Sequence, residues 1–182
     1  MHKQSLALAE NAPEPDDTRI ATRLNNLALV YWDQFRYDEA EPLLVRSLEI
    51  AEQAHDRDDA DLALPLNNLA RLYMRMERPE AAATLVDRAI AVWQGGDDDA
   101  VFTAILLDAK AEVLIGLGHY DEALEPAETA LRAREQVGNL EKTARSYHTL
   151  AYLYFKLGRH DEPPGCSNER SRRGTRPRQG AS

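Results

Sequence analysis

The sequence predicts an all-α solenoid of antiparallel helix pairs, and three observations carry that expectation. Leu-Asn-Asn-Leu-Ala occurs at 24–28 and again 42 residues later at 66–70, with a tyrosine three residues beyond each copy, at Tyr31 and Tyr73. Self-similarity at such a spacing marks a stacked repeat array. Apolar residues recur at i, i+3, i+4 and i+7 between turn signals, and no segment sustains strand-like alternation. Small residues fall at fixed places: Ala28, Ala70, Ala111 and Ala151 on first helices, and Ala40, Ala82 and Ala123 twelve residues after the first three. A large side chain at either place would hold the paired helices apart.

The first helices come in four copies. Ile20, Leu24, Leu27, Ala28 and Tyr31 form one apolar face, and Leu62, Leu66, Leu69, Ala70 and Tyr73 reproduce it. Leu107, Ala111 and Leu114 make a weaker third copy, and Tyr147, Leu150, Ala151 and Tyr154 a clear fourth. Second helices are expected to begin near Tyr37, Pro79 and Tyr120. Pro79 suits a helix start, where its missing N–H is not needed, and Gly118 suits the turn that ends a helix. Pro126 falls inside a second helix, where a lost bond costs about 3 kcal/mol or more, so a bend is expected there. The connections before the first helices are acidic, Asp16-Asp17, Asp56-Arg57-Asp58-Asp59 and Asp97-Asp98-Asp99. Their aspartates suit helix starts, as side-chain caps and as charges matched to the dipole.

Both ends of the chain are legible against this period. Residues 1–18 read as the end of a preceding repeat, because Ser5-Leu6-Ala7-Leu8-Ala9-Glu10 lies 42 residues before Ser47-Leu48-Glu49-Ile50-Ala51-Glu52. Residues 19–162 hold three full repeats and the first helix of a fourth. Pro163-Pro164-Gly165 then breaks the pattern, and residues 163–182 are expected to form a disordered Arg-rich tail with almost no apolar residue to bury. Loss of the pattern in mid-motif also suits a truncated or frame-shifted reading frame.

The net charge of −9 conceals two unlike segments, since residues 165–182 carry five Arg against one Glu and leave about −13 on the rest. An acidic body of that size repels a phosphate backbone, so no nucleic-acid binding is expected except weakly through the tail. Basic peptides suit it better. No apolar run is long enough for a membrane span, and the first ten residues lack the apolar core of a secretory signal, so a cytoplasmic location is expected. Cys166, the one cysteine, has no intrachain partner and no nearby His motif, and reads as a bystander thiol. The chain lacks a Gly-rich phosphate loop, a metal-spaced His/Cys cluster and a Gly-X-Ser-X-Gly element. Neither catalysis nor a cofactor or metal is expected.

Gly118-His119-Tyr120-Asp121-Glu122-Ala123 at a turn, with small residues at the helix contacts, resembles the tetratricopeptide repeat. The Leu-Asn-Asn-Leu-Ala element and the long period, against the usual length of about 34, resemble its kinesin-light-chain subtype. So does Glu39-Ala40-Glu41-Pro42-Leu43-Leu44 followed by Arg46-Ser47-Leu48-Glu49-Ile50. The resemblance runs from residue 5 to about 162. It departs at Glu77-Arg78-Pro79-Glu80-Ala81-Ala82, which lacks the glycine and tyrosine of the turn, and at Asp108-Ala109-Lys110-Ala111, which replaces Asn-Asn-Leu-Ala.

The resemblance implies a right-handed superhelix whose concave face, lined by first helices, binds peptides. Asn25, Asn26, Asn67, Asn68, Arg71, Arg75 and Tyr152 are the candidate groove residues, alongside Leu29, Asp33, Asp108, Glu112, Ile115, His148, Thr149 and Lys156. An asparagine amide both donates and accepts, so it can hold the backbone of an extended peptide. For Asn25 and Asn67 a second reading stands beside this one, in which they tie neighbouring helices together. Arg71 and Arg75 could pair with a ligand carboxylate or phosphate, or be neutralised by Glu112 or Asp108. Trp32 either reaches the groove or packs; Trp93 reads as packing. Leu29 stands where the chaperone-tail clamp of some tetratricopeptide domains uses asparagine, so that function is not carried over. The expected function is a non-enzymatic scaffold or adaptor for an extended peptide. The alternative is a structural arm of a larger regulatory protein that self-associates through exposed array ends.

Overall fold

Seven α-helices follow one another in the computed structural model, which describes residues 17–54, 56, 59–93, 100–138 and 140–159. Helices α1 (Asp17–Asp33) and α2 (Tyr37–Ala54), α3 (Ala63–Arg75) and α4 (Pro79–Val92), and α5 (Ala100–Gly116) and α6 (Tyr120–Val137) form three pairs. A 3-10 turn, Ala60–Leu62, leads into α3, and α7 (Leu140–Lys156) is the first helix of a fourth repeat. Pairs stack through α2 on α3, α4 on α5 and α6 on α7, and the first helices α3 and α5 also touch. The second helices begin at Tyr37, Pro79 and Tyr120, where the sequence places them. The preceding repeat, the Arg-rich tail and the aspartates at 16, 58 and 97–99 lie outside the described residues.

Burial follows the repeat. Ile20, Leu24, Leu27, Ala28 and Tyr31 are buried, as are Leu62, Leu66, Leu69 and Ala70, with Tyr73 half-buried. Each fully buried leucine adds roughly 1.5–3 kcal/mol of transfer free energy. Ala28, Ala40, Ala70, Ala82, Ala111 and Ala123 are all fully buried, as close helix approach requires. The third copy looks weak in sequence for a physical reason. Helix α5 packs on α3, α4 and α6 at once, so its buried residues, among them Ala104, Leu106, Ala109, Ala111, Val113 and Leu114, encircle it and leave no single stripe. Leu107, assigned to the core face by periodicity, is only half-buried. On α7, Leu150 and Tyr154 are buried but Tyr147 and Ala151 are exposed, because no described second helix covers them.

The turns that end the four first helices share one hydrogen-bond pattern. An N–H donates five residues back in Arg36 to Tyr31 O (2.9 Å), Arg78 to Tyr73 O (2.9 Å), His119 to Leu114 O (2.8 Å) and Arg159 to Tyr154 O (2.9 Å). The residue before each donor has a positive φ, 59° at Phe35, 57° at Glu77, 80° at Gly118 and 69° at Gly158. This is the Schellman ending, which caps the last carbonyls of a helix and favours glycine. The second repeat therefore keeps the turn without its glycine, and Arg78 adds a guanidinium 4.4 Å from the Tyr73 ring, as Arg36 does over Tyr31. A side chain in the left-handed region costs roughly 1–2 kcal/mol, and glycine gives part of that back as unfolded-chain entropy. Glu77→Gly is accordingly expected to stabilise the protein by about 0.5–1 kcal/mol, read as a rise in thermal midpoint; an unchanged or lower midpoint would count against the strain.

Asp59 caps the 3-10 turn before α3, its Oδ1 accepting from the Asp61 N–H at 2.9 Å. Pro79 occupies the first turn of α4. Helix α6 continues through Pro126 without a break, as α2 does through Pro42.

Candidate peptide-binding face

The candidate face is made of residues from the first helices α1, α3, α5 and α7, and the structure separates the four asparagines on it. Asn26 is exposed. Asn68, 7% exposed, donates through Nδ2 to Asn25 Oδ1 at 2.9 Å and so ties α1 to α3. Asn67 is 1% exposed, and its Oδ1 has no hydrogen-bond partner among the described residues. Asn25 remains half-buried beside a hollow of about 420 Å3 whose walls include Ala51, Leu64, Pro65, Trp93 and Phe102. Trp93 packs edge-on against Phe102, with ring centroids 4.7 Å apart, and donates from Nε1 to Thr103 Oγ1 at 3.0 Å.

Farther along the face, a second recess of about 170 Å3 is lined by Arg71, Ile105, Asp108, Ala109, Glu112, Arg134 and Arg145. Its charges do not cancel. Arg134, largely buried at the end of α6, pairs with Asp108 and donates to Ser146 Oγ at 2.5 Å. Arg145 pairs with Glu112. Both carboxylates near Arg71 are thus engaged by other guanidiniums. Among the described residues neither Arg71 nor Arg75 forms an ion pair. Burial lowers the Arg71 pKa, and Arg145 and Arg75 add to that against the pull of Glu112 and Asp108. Its guanidinium stands 5.5 Å from the centre of the Trp32 ring, which packs edge-on to Tyr37. Burial likewise raises the Asp108 pKa, opposed by Arg134.

A third hollow, about 330 Å3, adjoins the second through Glu112 and Arg145 and brings Arg75, Ile115, His148, Thr149 and Tyr152 together. Tyr152 is 38% exposed and stands edge-on to Tyr120, with Lys156 Nζ 5.4 Å from its ring. Arg71, Arg75 and Tyr152 therefore share one strip, whereas Asn25 and Asn26 lie at the other end of the face. The reading from sequence did not include Arg145 and Arg134. Arg145 could have been found, since it precedes Thr149 and Tyr152 by four and seven residues on one helix face. Arg134 reaches in from a second helix, and helical period carries no signal for that.

Residues 1–53, 20–95, 61–136 and 102–162 match the model of the tetratricopeptide repeat family, the last three matches starting at even intervals along the chain. The chain is a tetratricopeptide repeat protein. No curated protein sequence matches it. Solved structures do. BtubC (BKLC) from P. vanneervenii aligns with a TM-score of 0.80 at 20% identity, covering 100% of this chain and 76% of that one. Two structures of a Podosopora anserina putative kinesin light chain with nearly identical TPR-like repeats align at 0.71 and 0.70, with 20% and 19% identity, each covering 87% of this chain and 76% of that one. The likeness is one of fold, an all-helical superhelical solenoid of kinesin-light-chain-like repeats. Tetratricopeptide repeats mediate protein–protein interactions, and the family is in general a non-catalytic scaffold. No helix among the described residues is long and apolar enough to cross a membrane.

Proposed function

We propose that this tetratricopeptide protein is a non-enzymatic scaffold whose first-helix face holds an extended, acidic segment of a partner protein. The observation that carries the reading is the state of Arg71: half-buried, shifted by burial, and left without a carboxylate because Arg134 and Arg145 engage Asp108 and Glu112. A partly desolvated guanidinium gains most from an incoming anion, as charge-assisted bonds exceed neutral ones. Arg75 adds a second donor fork one turn on. The net charge of −9 would favour a basic ligand, but charges on the outer faces are screened within about 8 Å at physiological salt. The local excess of guanidiniums sets the sign here. The hollow beside Asn25 would take an apolar side chain of the same segment, and the unused amide donor of Asn25 would meet its backbone.

The test is a peptide-display selection on the wild type and on Arg71→Gln/Arg75→Gln. Peptides enriched in Asp and Glu are expected from the wild type, with the double variant binding them roughly 10- to 100-fold more weakly, as loss of one or two charged hydrogen bonds implies. Selection of peptides without acidic enrichment, or equal binding by the variant, would remove the proposal.

A further inference from the structure

An asparagine rung joins the first two repeats and is missing between the next two. Asn68 Nδ2 on α3 donates to Asn25 Oδ1 on α1 at 2.9 Å. Counted from the crossing alanines Ala28, Ala70 and Ala111, Asn67 holds the place of Asn25 one repeat on, and residue 109 holds the place of Asn68. Residue 109 is alanine. The second rung therefore has its acceptor but lacks its donor, and the buried Asn67 Oδ1 meets no hydrogen-bond partner among the described residues. Leaving a buried acceptor unmet destabilises a fold, so such a group calls for an explanation.

The ground that a longer side chain at 109 would cover is open. Ala109 packs in one core cluster with Ala70, which lies one turn beyond Asn67 on α3. It also forms part of the wall of the 170 Å3 recess beside Arg71. Asn67 and Arg71 stand four residues apart and share a face of α3. Building on the acidic-segment reading above, we propose that Ala109 determines the specificity of this face: the omitted rung opens the recess, and an anionic side chain of the bound segment enters it beside Arg71. Between α1 and α3 the rung is in place, and the hollow beside Asn25 has no Arg or Lys in its wall among the described residues. Between α3 and α5 the rung is absent and Arg71 borders the gap. The segment should then carry one dominant Asp or Glu, seated at the recess, in place of a diffuse acidic character. The chain forgoes a hydrogen bond of its own here and keeps a partly desolvated guanidinium within reach of a ligand, an exchange of stability for function.

The test reads binding and stability together, because this arrangement sets one against the other. Ala109→Asn restores the donor and fills the gap, whereas Ala109→Val fills it without a donor. Asparagine and valine have similar helix propensities. In peptide-display selection on the full chain, the wild type should give one dominant Asp/Glu position. Both variants should lose enrichment at that position and keep the rest of the motif. Each should bind a peptide selected on the wild type about tenfold more weakly, as loss of one charged hydrogen bond implies. The thermal midpoint of Ala109→Asn should exceed that of Ala109→Val, and the excess should vanish when Asn67→Leu is added to both. Three results would overturn the role of Ala109 and leave the acidic-segment reading standing: acidic enrichment without a dominant position, enrichment that survives both variants, or a midpoint of Ala109→Asn at or below that of Ala109→Val. Absence of acidic enrichment in the wild type would remove both.

Discussion

Replacing Arg134 by methionine is expected to cost about 3 kcal/mol of stability, at the lower end of the range of roughly 3–5 for breaking a buried ion pair. The guanidinium bridges three helices: it leaves α6 to pair with Asp108 on α5 and to reach Ser146 on α7. Methionine keeps most of the stem and removes the charge, so the loss falls on the Asp108 carboxylate. Burial already raises the pKa of that group, and Arg134 is the first contact that opposes the rise. In the variant it rises further. A raised carboxyl pKa means that the folded chain binds this proton before the unfolded chain does, so stability falls as pH rises through the window above the ordinary value of about 3.9. The gap between variant and wild type should therefore be widest near neutrality and narrow on acidification. Urea denaturation of both proteins at several pH values measures it. A gap that is constant or grows in acid would show that Asp108 is not the source of the loss.

Leu66→Ala is expected to cost about 3–4 kcal/mol, within the range of roughly 2–5 for a large core truncation. Leu66 is fully buried on α3, a first helix stacked against a pair on either side. Stability in a repeat array is approximately a sum of repeat and nearest-neighbour terms, so the place of the cavity decides what it releases. At Leu66 it weakens the contacts that join α1 and α2 to the rest. The same truncation at Leu150, equally buried on α7, weakens chiefly the contact with α6, on which α7 packs far more than on α5. Hydrogen exchange should show amides of α1 to α4 opening faster in Leu66→Ala, and fast exchange confined to α7 and the end of α6 in Leu150→Ala. Equal, chain-wide acceleration in both variants would contradict this division.

What the sequence revealed of the fold and what it concealed divide along physical lines. Pro79 and Tyr120 were readable as helix starts because turn chemistry is local, written in the proline itself and in Gly118, and Tyr37 because Tyr37-Asp38-Glu39-Ala40 repeats Tyr120-Asp121-Glu122-Ala123. The left-handed turns at Phe35 and Glu77 were not, since the geometry there is imposed by the paired helices and holds without glycine. Helix α5 blurred its own period by being buried all round. Ala151 and Tyr147 fit the core period, but period specifies a face and not whether anything covers it. At the site, the asparagine repeat was legible as a pattern while its use was not. Asn68 is turned inward to Asn25, and Asn26 alone of the four is exposed. Whether Arg71 was neutralised depended on Arg134 and Arg145, residues about 60 and 70 positions away whose approach only the stacking of helices creates.

The turns within pairs and the connections between pairs make two kinds of joint. Three residues separate Asp33 from Tyr37, Arg75 from Pro79 and Gly116 from Tyr120. Between pairs the spacing is loose, two residues from Val137 to Leu140 but seven from Val92 to Ala100. The elbow is thus a fixed unit, closed by the same hydrogen bonds each time. The drift in repeat length, from 42 residues between Ala28 and Ala70 to 40 between Ala111 and Ala151, falls outside the elbow, shared between the second helix, 18 residues in α2 and α6 but 14 in α4, and the joint that follows it. Residues can be gained or lost there while every elbow keeps its register.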